Sequence, residues 1–348
     1  MNGEGQLGEF DLIARVVEVV EEARRGRPSE AGTRGAAARV LVGSGDDAAV
    51  TAPRGVTATS VDAFVDGVHF RRDTAPLESI GRKAMAAALS DLAAMGAAPG
   101  EAYVELGIPP DLDAPEGVEV ARGLGLVAAG AGVAVIGGDV ARSPVLFLAL
   151  TVVGHAAAAH DFVLRSGARP GDVVAVTGEL GGAAAGLLLL ERPGLAAGLD
   201  PDLANSLRRR QLEPTPRLAA GRALAASGAT AMIDVSDGVG GDAGHVSSQS
   251  GVALVIELER VPAQLGVDEA AVAAGVDRWD LVTGGGEDYE LLATLPQARL
   301  AEARSAVARS GATLTPIGEV TEGQGVSLRH ADGSVREPFG FDQLRARG

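Results

Sequence analysis

Acidic residues that follow short apolar runs are the positions in this chain best suited to chemistry. The stretch GSGDDAAV (43–50) places Asp46 and Asp47 side by side in a glycine-rich turn. An aspartate in a turn commonly accepts a hydrogen bond from its own backbone, whereas a pair of carboxylates can also bind a metal ion. The pair raises both possibilities, a turn-forming role and a metal-binding role.

The same combination of an apolar run, glycines and a carboxylate recurs along the chain. Glycines let backbone N–H groups approach a ligand, and Mg²⁺ prefers carboxylate, water and phosphate oxygens. The recurrence therefore predicts several Mg²⁺ ions that bridge phosphate groups. Asp237 has an ordinary alternative, since it could cap a helix N terminus. The carboxylates concerned are Asp46, Asp47, Asp62, Asp139, Asp234, Asp237, Glu287 and Asp288.

Asp91 is unusual because it is predicted to lie within a helix, over residues 76–96, on a face of small side chains. It lies toward the C terminus of that helix, where the macrodipole disfavours an anion, so helix capping does not explain it. A carboxylate buried without a cation is strongly destabilising. The pattern therefore predicts a cation beside Asp91.

Helix-like and strand-like segments alternate through the first half of the chain. A stripe formed by Leu12, Val16, Val19 and Val20 predicts an amphipathic helix over 11–25. Short apolar runs punctuated by Gly and Pro are typical of buried strands. Such strands are predicted at 56–64, 102–109, 133–140 and 145–155, with helices at 76–96 and 115–130.

The pattern restarts at residues 165–190 with a turn, a strand, a glycine loop and a helix. We therefore predict a mixed α/β (α+β) protein of two domains, 1–157 and 158–348. The second half continues with helices at 216–227 and from about Asp237, and with strands ATAMIDV, VALVIEL, YELLATL and TPIGEV.

Composition excludes several classes of protein. Forty-six acidic residues against 30 basic ones give a formal net charge of −16, which disfavours nucleic acid and anionic membranes as partners. The chain has no cysteine, so disulfides and thiolate chemistry are excluded, and a cytoplasmic location is expected. The N-terminal residues lack the order of a signal peptide, and no apolar stretch is suited to cross a bilayer.

Common phosphate-binding motifs are missing. A Walker A loop ends in GK[ST], but the one lysine, Lys83, lies in GRKAM on a predicted helix. The protein-kinase motifs are excluded for the same reason. The segment TGELGGAAAG departs from the GxGxxG spacing of dinucleotide loops and is interpreted as helix packing.

Eight motifs occur in an order that resembles the thiamine-monophosphate kinase family of the AIR-synthase-like superfamily of ATP-using enzymes. The resemblance covers nearly the whole chain, and eight ordered motifs are far more specific than one. The motifs are GEFDLIARV, GSGDDAAV, SVDAFVDGVHF, ALSDLAAMGAAP, GGDVARS, LRSGARPGD, DVSDGVGGD and GGGEDYEL.

This resemblance implies ATP-dependent phosphorylation of thiamine monophosphate to thiamine diphosphate, the last step of thiamine diphosphate biosynthesis, by direct in-line transfer with several Mg²⁺ ions. It implies a homodimer in which the N-terminal domains, which bind ATP and Mg²⁺, contribute strands to a shared β-barrel. Each is followed by a mixed α/β C-terminal domain. No catalytic side chain is expected, because the acceptor phosphate, with a second pKa of about 6, is ionised near neutral pH.

The resemblance also implies roles for individual residues. The ATP ligands would be Gly137, Gly138, Arg165 and Ser236, and the thiamine monophosphate ligands His69, Glu287 and Phe341. His69 could equally be a core histidine. The implied metal ligands are Asp47, Ser60, Val61, Asp62, Asp91, Asp139, Asp234 and Asp237.

Two positions depart from the family pattern. Val61 stands where the family usually has a hydroxyl, so a metal contact there would have to use the backbone. The closing GFDQL lacks the usual final pair of His and an aromatic residue, which weakens the assignment of Phe341. Of the opening pair, Asp47 is expected to bind metal and Asp46 to order the turn.

Two other functions are open at this point. A sister enzyme could use the same metal and ATP core to activate an amide oxygen or selenide. The absence of cysteine argues against selenophosphate synthetase, and SVDAFVDGVHF argues against AIR synthase. A non-catalytic nucleotide-binding protein would be expected to have lost metal-binding acids, and all of them are present here.

Overall fold

The structure is a computed structural model that describes residues 9–25, 39–44, 48–53 and 55–340. The described residues form two compact units with mixed α/β structure. Unit 1 comprises those within 1–92 and 97–159, and unit 2 comprises those within 93–96 and 160–348.

Unit 1 is built around a four-stranded sheet of order β3-β6-β4-β5, in which β4 and β5 are parallel and the other pairs antiparallel. β1 and β2 form a separate antiparallel pair. The predicted helices and strands of this half are confirmed. Together with β1 and β2, which were not among the predicted strands, the elements of this half are α1 (Glu9–Arg25), β1 (Arg39–Val42), β2 (Val50–Ala52), β3 (Val56–Val65), α2 (Leu77–Ala94), β4 (Ala98–Ile108), α3 (Ala114–Ala131), β5 (Ala134–Arg142) and β6 (Phe147–Ala156).

Strand β3 presents its two faces to different environments. Ser60 pairs with Val152 and Asp62 with Leu150 on β6, and both β6 residues are fully buried. Directly paired residues lie on the same face of a sheet, so Ser60 and Asp62 share the face of this core. Val61 lies on the opposite face and is 69% exposed. The alternation therefore turns the hydroxyl and the carboxylate toward α2.

Helices α2 and α3 pack through glycines. A Cβ atom added to Gly81 would lie 1.9 Å from the carbonyl oxygen of Val120, and one added to Gly123 would lie 1.8 Å from that of Glu78. No larger side chain fits at either point, so the two helix backbones are in direct contact. Helix α3 begins at a capping box formed by Asp113 and Glu116.

Unit 2 contains a seven-stranded sheet of order β13-β12-β9-β11-β7-β10-β8, in which only the pair β9 and β12 is parallel. Its elements are β7 (Asp172–Thr177), α4 (Gly182–Glu191), α5 (Pro201–Leu212), α6 (Leu218–Ala226), β8 (Ala231–Val235), α7 (Val239–Ser250), β9 (Ala253–Glu257), α8 (Val267–Ala274), α9 (Arg278–Gly284), β10 (Glu290–Pro296), α10 (Leu300–Arg309), β11 (Leu314–Thr321), β12 (Gly325–Arg329) and β13 (Val335–Arg336).

The central strands of unit 2 are buried on both faces. Every residue of β7 and β8 is buried, which agrees with their continuous apolar sequences. The predicted strands here are confirmed, and α7 begins at Val239, two positions after the predicted start. Helix α5 was not predicted. None of the helices in the described residues has the length and apolar character needed to cross a membrane.

Candidate functional site

Ser60, Asp62 and Asp91 come together in unit 1. Ser60 Oγ donates a hydrogen bond to Asp91 Oδ2, which joins β3 to α2. Burial, followed by the charge of Asp91, raises the pKa of Asp62 to about 6. All three residues are half-buried. The structure thus places a hydroxyl and two carboxylates at one point, where a cation would relieve the repulsion between the acids.

The glycines of β5 have a structural explanation of their own. Gly138 has a φ of 155°, and a Cβ atom there would lie 1.9 Å from the Val104 carbonyl oxygen on β4. A Cβ atom on Gly137 would lie 2.9 Å from the Tyr103 ring. Close approach of β4 therefore requires glycine, whatever these residues bind. Asp139 is exposed, and its Oδ1 accepts a hydrogen bond of 2.8 Å from the Val140 N–H.

His69 lies in the loop after β3 and is half-buried. Its Nδ1 accepts a hydrogen bond of 3.1 Å from the Val65 N–H, so a neutral ring carries its proton on Nε2. Arg72 Nε lies 2.6 Å from Asp66 Oδ2, and Arg72 Nη2 lies 3.0 Å from Asp111 Oδ2. These ion pairs hold the loop that presents His69.

In unit 2, Asp234 lies buried on β8, and Ser236 and Asp237 follow it in a loop. The N cap of α7 is Gly238, so the alternative that Asp237 caps this helix is wrong. Asp242 instead accepts hydrogen bonds of 3.1 Å from both the Ser236 and Asp237 N–H groups. Burial, then the charges of Asp234 and Asp237, raise the pKa of Asp242 to about 8. Asp242 was not identified from the sequence.

The loop between α9 and β10 carries Glu287 in a strained conformation. Glu287 and Tyr289 have φ values of 59° and 49°, which residues other than glycine rarely adopt. The Glu287 N–H donates to the Ser236 carbonyl at 2.8 Å, and the Tyr289 N–H donates to the Val235 carbonyl at 2.9 Å. Glu287 and Ser236 therefore occupy adjacent loops of unit 2.

Asp288 anchors this loop to helix α4. Its Oδ2 accepts a hydrogen bond of 2.7 Å from the Gly181 N–H, and its Oδ1 accepts one of 3.1 Å from the Ala183 N–H. Burial raises the pKa of Asp288 to about 6, although Arg210 and the two N–H groups act in the opposite direction. The contact with the N terminus of α4 therefore gives Asp288 a structural role.

Glu290 forms the centre of a buried ionic cluster that we did not anticipate. Arg210 Nη2 and Arg217 Nη2 each lie 2.6 Å from Glu290 Oε1, and Thr177 Oγ1 donates to Glu290 Oε2 at 2.7 Å. Burial alone would raise the pKa of Glu290, but the hydrogen bonds and charges of Arg217 and Arg210 hold it below its ordinary value. The residue after Arg210, Gln211, donates from Nε2 to Glu287 Oε2 at 2.7 Å.

The remaining predicted site residues are Arg165 in unit 2 and three residues that the structure does not describe. Arg165 is exposed, and its carbonyl accepts a hydrogen bond of 3.2 Å from Ser250 Oγ. Asp46, Asp47 and Phe341 lie outside the described residues. Another aromatic residue, Phe339, packs on the C-terminal residue of α9, since a Cβ atom on Gly284 would lie 2.1 Å from its ring.

Within each unit, the described residues that the resemblance implies as metal ligands meet only in small groups. Within the described part of either unit, no three acidic or histidine side chains are arranged so that they could hold a metal ion by themselves.

Comparison with known proteins identifies the family. Residues 45–156 match the N-terminal domain of AIR synthase related proteins, and residues 169–331 match the C-terminal domain. Thiamine-monophosphate kinase of Mycobacterium tuberculosis is 39% identical over 290 residues, which cover 83% of this chain and 80% of that protein.

Solved structures agree with this match. The crystal structure of thiamine-monophosphate kinase from Stenotrophomonas maltophilia K279a is 33% identical, with a TM-score of 0.77 and coverage of 95% of this chain and 98% of that one. AaThiL complexed with AMPPCP and TMP is 30% identical, with a TM-score of 0.72 and coverage of 96% of both chains. The chain therefore belongs to the thiamine-monophosphate kinase family.

Proposed function

We propose that this protein transfers the γ-phosphoryl group of ATP to the phosphate of thiamine monophosphate. A phosphate oxygen of the acceptor forms a bond to the γ-phosphorus as the bond to the ADP oxygen breaks, which yields thiamine diphosphate and ADP. The proposal is carried by the match over 96% of both chains to AaThiL, whose structure holds the ATP analogue AMPPCP together with TMP.

The group formed by Ser60, Asp62 and Asp91 fits Mg²⁺. Its ligands are hard oxygen atoms. Burial and the second carboxylate raise the pKa of Asp62, and a bound divalent cation would stabilise the ionised form of both carboxylates. Bound Mg²⁺ would offset the repulsion between the phosphates of the two substrates. The full set of proposed ligands is Asp47, Ser60, the Val61 backbone, Asp62, Asp91, Asp139, Asp234 and Asp237.

The remaining site residues are proposed to bind the two substrates. Gly137, Gly138, Arg165 and Ser236 are the proposed ATP ligands. His69, Glu287 and Phe341 are the proposed thiamine monophosphate ligands. A carboxylate repels phosphate, so Glu287 is expected to contact the thiamine portion of the substrate. The direct transfer requires no general base or nucleophilic side chain.

A homodimer with a β-barrel shared between the N-terminal domains is part of the proposal. It is supported by the face of β3 turned away from α2, where Thr57, Thr59, Val61 and Ala63 are all exposed. An apolar or small-residue sheet face of this kind is suited to pairing with a second copy. The domain division 1–157 and 158–348 and a cytoplasmic location stay predictions.

A coupled assay of ADP release tests the activity. Thiamine monophosphate, thiamine and aminoimidazole precursors are offered separately with ATP and Mg²⁺. We expect ADP with thiamine monophosphate only, and none in EDTA. Turnover with an aminoimidazole precursor alone would support a sister AIR-synthase-like enzyme. ATP binding without turnover of any acceptor would support a non-catalytic nucleotide-binding protein.

A further inference from the structure

The Gln211 side chain forms a hydrogen bond to the Glu287 carboxylate. It lies on α5, is only 4% exposed, and donates from Nε2 to Glu287 Oε2 at 2.7 Å. An amide donor beside an ionised carboxylate makes a charge-assisted hydrogen bond, which is stronger than a bond between neutral groups. The contact joins residues 76 positions apart in sequence, so it depends on the tertiary fold.

The backbone around Glu287 is fixed by the neighbouring residue of the same helix. Arg210 Nη2 donates to the Asp288 carbonyl at 2.9 Å and also contacts Glu290. Contacts of this kind stabilise a loop in which Glu287 and Tyr289 have positive φ values. Adjacent residues of α5 thus hold both the backbone and the side chain of this segment.

Stability alone does not explain a glutamine at this position. Gln211 Oε1 is buried and has no hydrogen-bond partner in the described part of the protein. Leaving a buried acceptor unpaired is destabilising, whereas an apolar side chain of similar size would avoid that cost. The glutamine combines an unpaired acceptor with a strained partner loop, a combination typical of a functional site.

We propose that Gln211 is a positioning residue that directs the Glu287 carboxylate toward the exocyclic amino group of the substrate's aminopyrimidine ring. This inference rests on the proposed function. By holding Oε2, Gln211 fixes the direction in which the second carboxylate oxygen points. The amino group is the N–H donor of thiamine monophosphate that a carboxylate would recognise, so the pair selects substrates that carry it.

A double-mutant cycle tests this role. Gln211→Met keeps the volume and removes the donor. We expect it to raise the KM for thiamine monophosphate by about tenfold, as expected for loss of a hydrogen bond to a charged group, and to leave the KM for ATP within about twofold. In a Glu287→Ala background the same substitution should add less than about twofold, because Gln211 acts through Glu287. Arg209→Ala, an exposed position on α5, is the matched control.

A substrate analogue tests the proposed contact. Oxythiamine monophosphate replaces the amino group with an oxo group and keeps the thiazolium ring. Gln211→Met should change its KM by less than about twofold relative to wild type, because the lost contact is already absent. An equal rise for both substrates would overturn the assignment to the amino group.

Other outcomes separate this inference from the proposed function. Full additivity of Gln211→Met and Glu287→Ala, or an equal rise in the KM for ATP, would show that Gln211 acts only on the fold. If Gln211→Met does not fold, Gln211→Leu removes the donor with a shorter, branched side chain. An unchanged KM for thiamine monophosphate in that variant would overturn the inference. Failure of the wild type to use thiamine monophosphate would instead overturn the proposed function.

Discussion

Ser60 on β3 donates a hydrogen bond to Asp91 on α2, so the sheet and the helix of unit 1 meet at a polar contact. Asp62 lies close enough to Asp91 for the two charges to interact. A contact between two neutral apolar residues would stabilise the same packing at lower electrostatic cost. This electrostatic cost is the observation that supports the proposed cation site.

Substitution of Asp91 by Asn tests that interpretation. The amide oxygen can still accept the Ser60 hydrogen bond, so the melting temperature should change by only a few degrees. Loss of a charged metal ligand should lower kcat by roughly 100-fold or more. ADP release at saturating Mg²⁺ measures the effect, with Glu119→Gln on the exposed side of α3 as control. Wild-type turnover in Asp91→Asn would contradict the proposed site.

The raised pKa of Asp62 predicts competition between protons and Mg²⁺. The carboxyl is mostly ionised above its pKa of about 6 and mostly protonated below it. Lowering the pH from about 7 to about 5 should therefore raise the Mg²⁺ concentration needed for half-maximal activation, by up to about tenfold. Titrations with Mg²⁺ at several pH values measure this, and Asp62→Asn should flatten the dependence. A midpoint that does not move with pH would contradict the assignment.

The same shift has a consequence for stability without metal. Asp62 binds its proton more tightly in the folded protein than in the unfolded chain, because burial and then the charge of Asp91 raise its pKa. The stabilising contribution is complete below the ordinary carboxyl pKa and is lost as pH rises to about 6. In EDTA, urea unfolding of the wild type should lose more stability across this window than unfolding of Asp62→Asn.

His69→Ala distinguishes a substrate ligand from a structural histidine. The ring is half-buried, with Nδ1 engaged by the Val65 N–H. We expect a several-fold rise in the KM for thiamine monophosphate and little change in the KM for ATP. His160→Ala, whose side chain is 86% exposed, serves as the control. A rise confined to the KM for ATP would show that the substrate role is wrong.

The buried Glu290 should matter for stability more than any surface acid. Glu290→Gln leaves Arg210 and Arg217 without their shared carboxylate, which should lower the free energy of unfolding by about 3–5 kcal/mol. Glu302→Gln breaks an exposed pair with Arg299 and should cost at most about 1 kcal/mol. Urea unfolding compares the two. Equal small losses would mean that solvent reaches the Glu290 cluster.

Mg²⁺ and nucleotide should stabilise the protein together more than either does alone. The charges of Asp62 and Asp91 oppose one another without metal, and phosphate oxygens complete the coordination of Mg²⁺. Melting curves are compared in EDTA, in Mg²⁺, in a non-hydrolysable ATP analogue, and in both ligands. Equal shifts by the analogue in EDTA and in Mg²⁺ would show that nucleotide binds without a metal bridge.

Hydrophobic periodicity and the Gly and Pro residues between apolar runs were sufficient to predict the elements that carry Ser60, Asp62 and Asp91. The alternation of β3 and the small-residue face of α2 are local patterns, so they are visible in sequence. The Val61 side chain lies on the far face of β3, and whether its backbone binds metal stays a prediction. Contacts between elements do not follow from local patterns, and the hydrogen bond from Ser60 to Asp91 was not predicted.

Helix α5 shows why the rest was missed. Its run LRRRQ is charged and lacks a clear apolar stripe, although Asp200 and Pro201 form an ordinary helix start. Arg210 contacts Glu290, 80 positions away, and Gln211 contacts Glu287, 76 positions away, so local sequence does not reveal these roles. Asp237 shows a related limit, because a helix cap and a loop acid have the same local sequence, and only the position of Gly238 decides between them.

The contact between α2 and α3 makes Gly81 and Gly123, which have no functional groups, sites at which mutations should impair the protein. An alanine at Gly81 would displace α2 from Val120, and Asp91 lies further along the same rigid helix. The added methyl group would therefore move a carboxylate that it never touches. Loss-of-function alleles should arise at Gly81 and Gly123 through single-nucleotide changes that leave every charged and polar side chain intact.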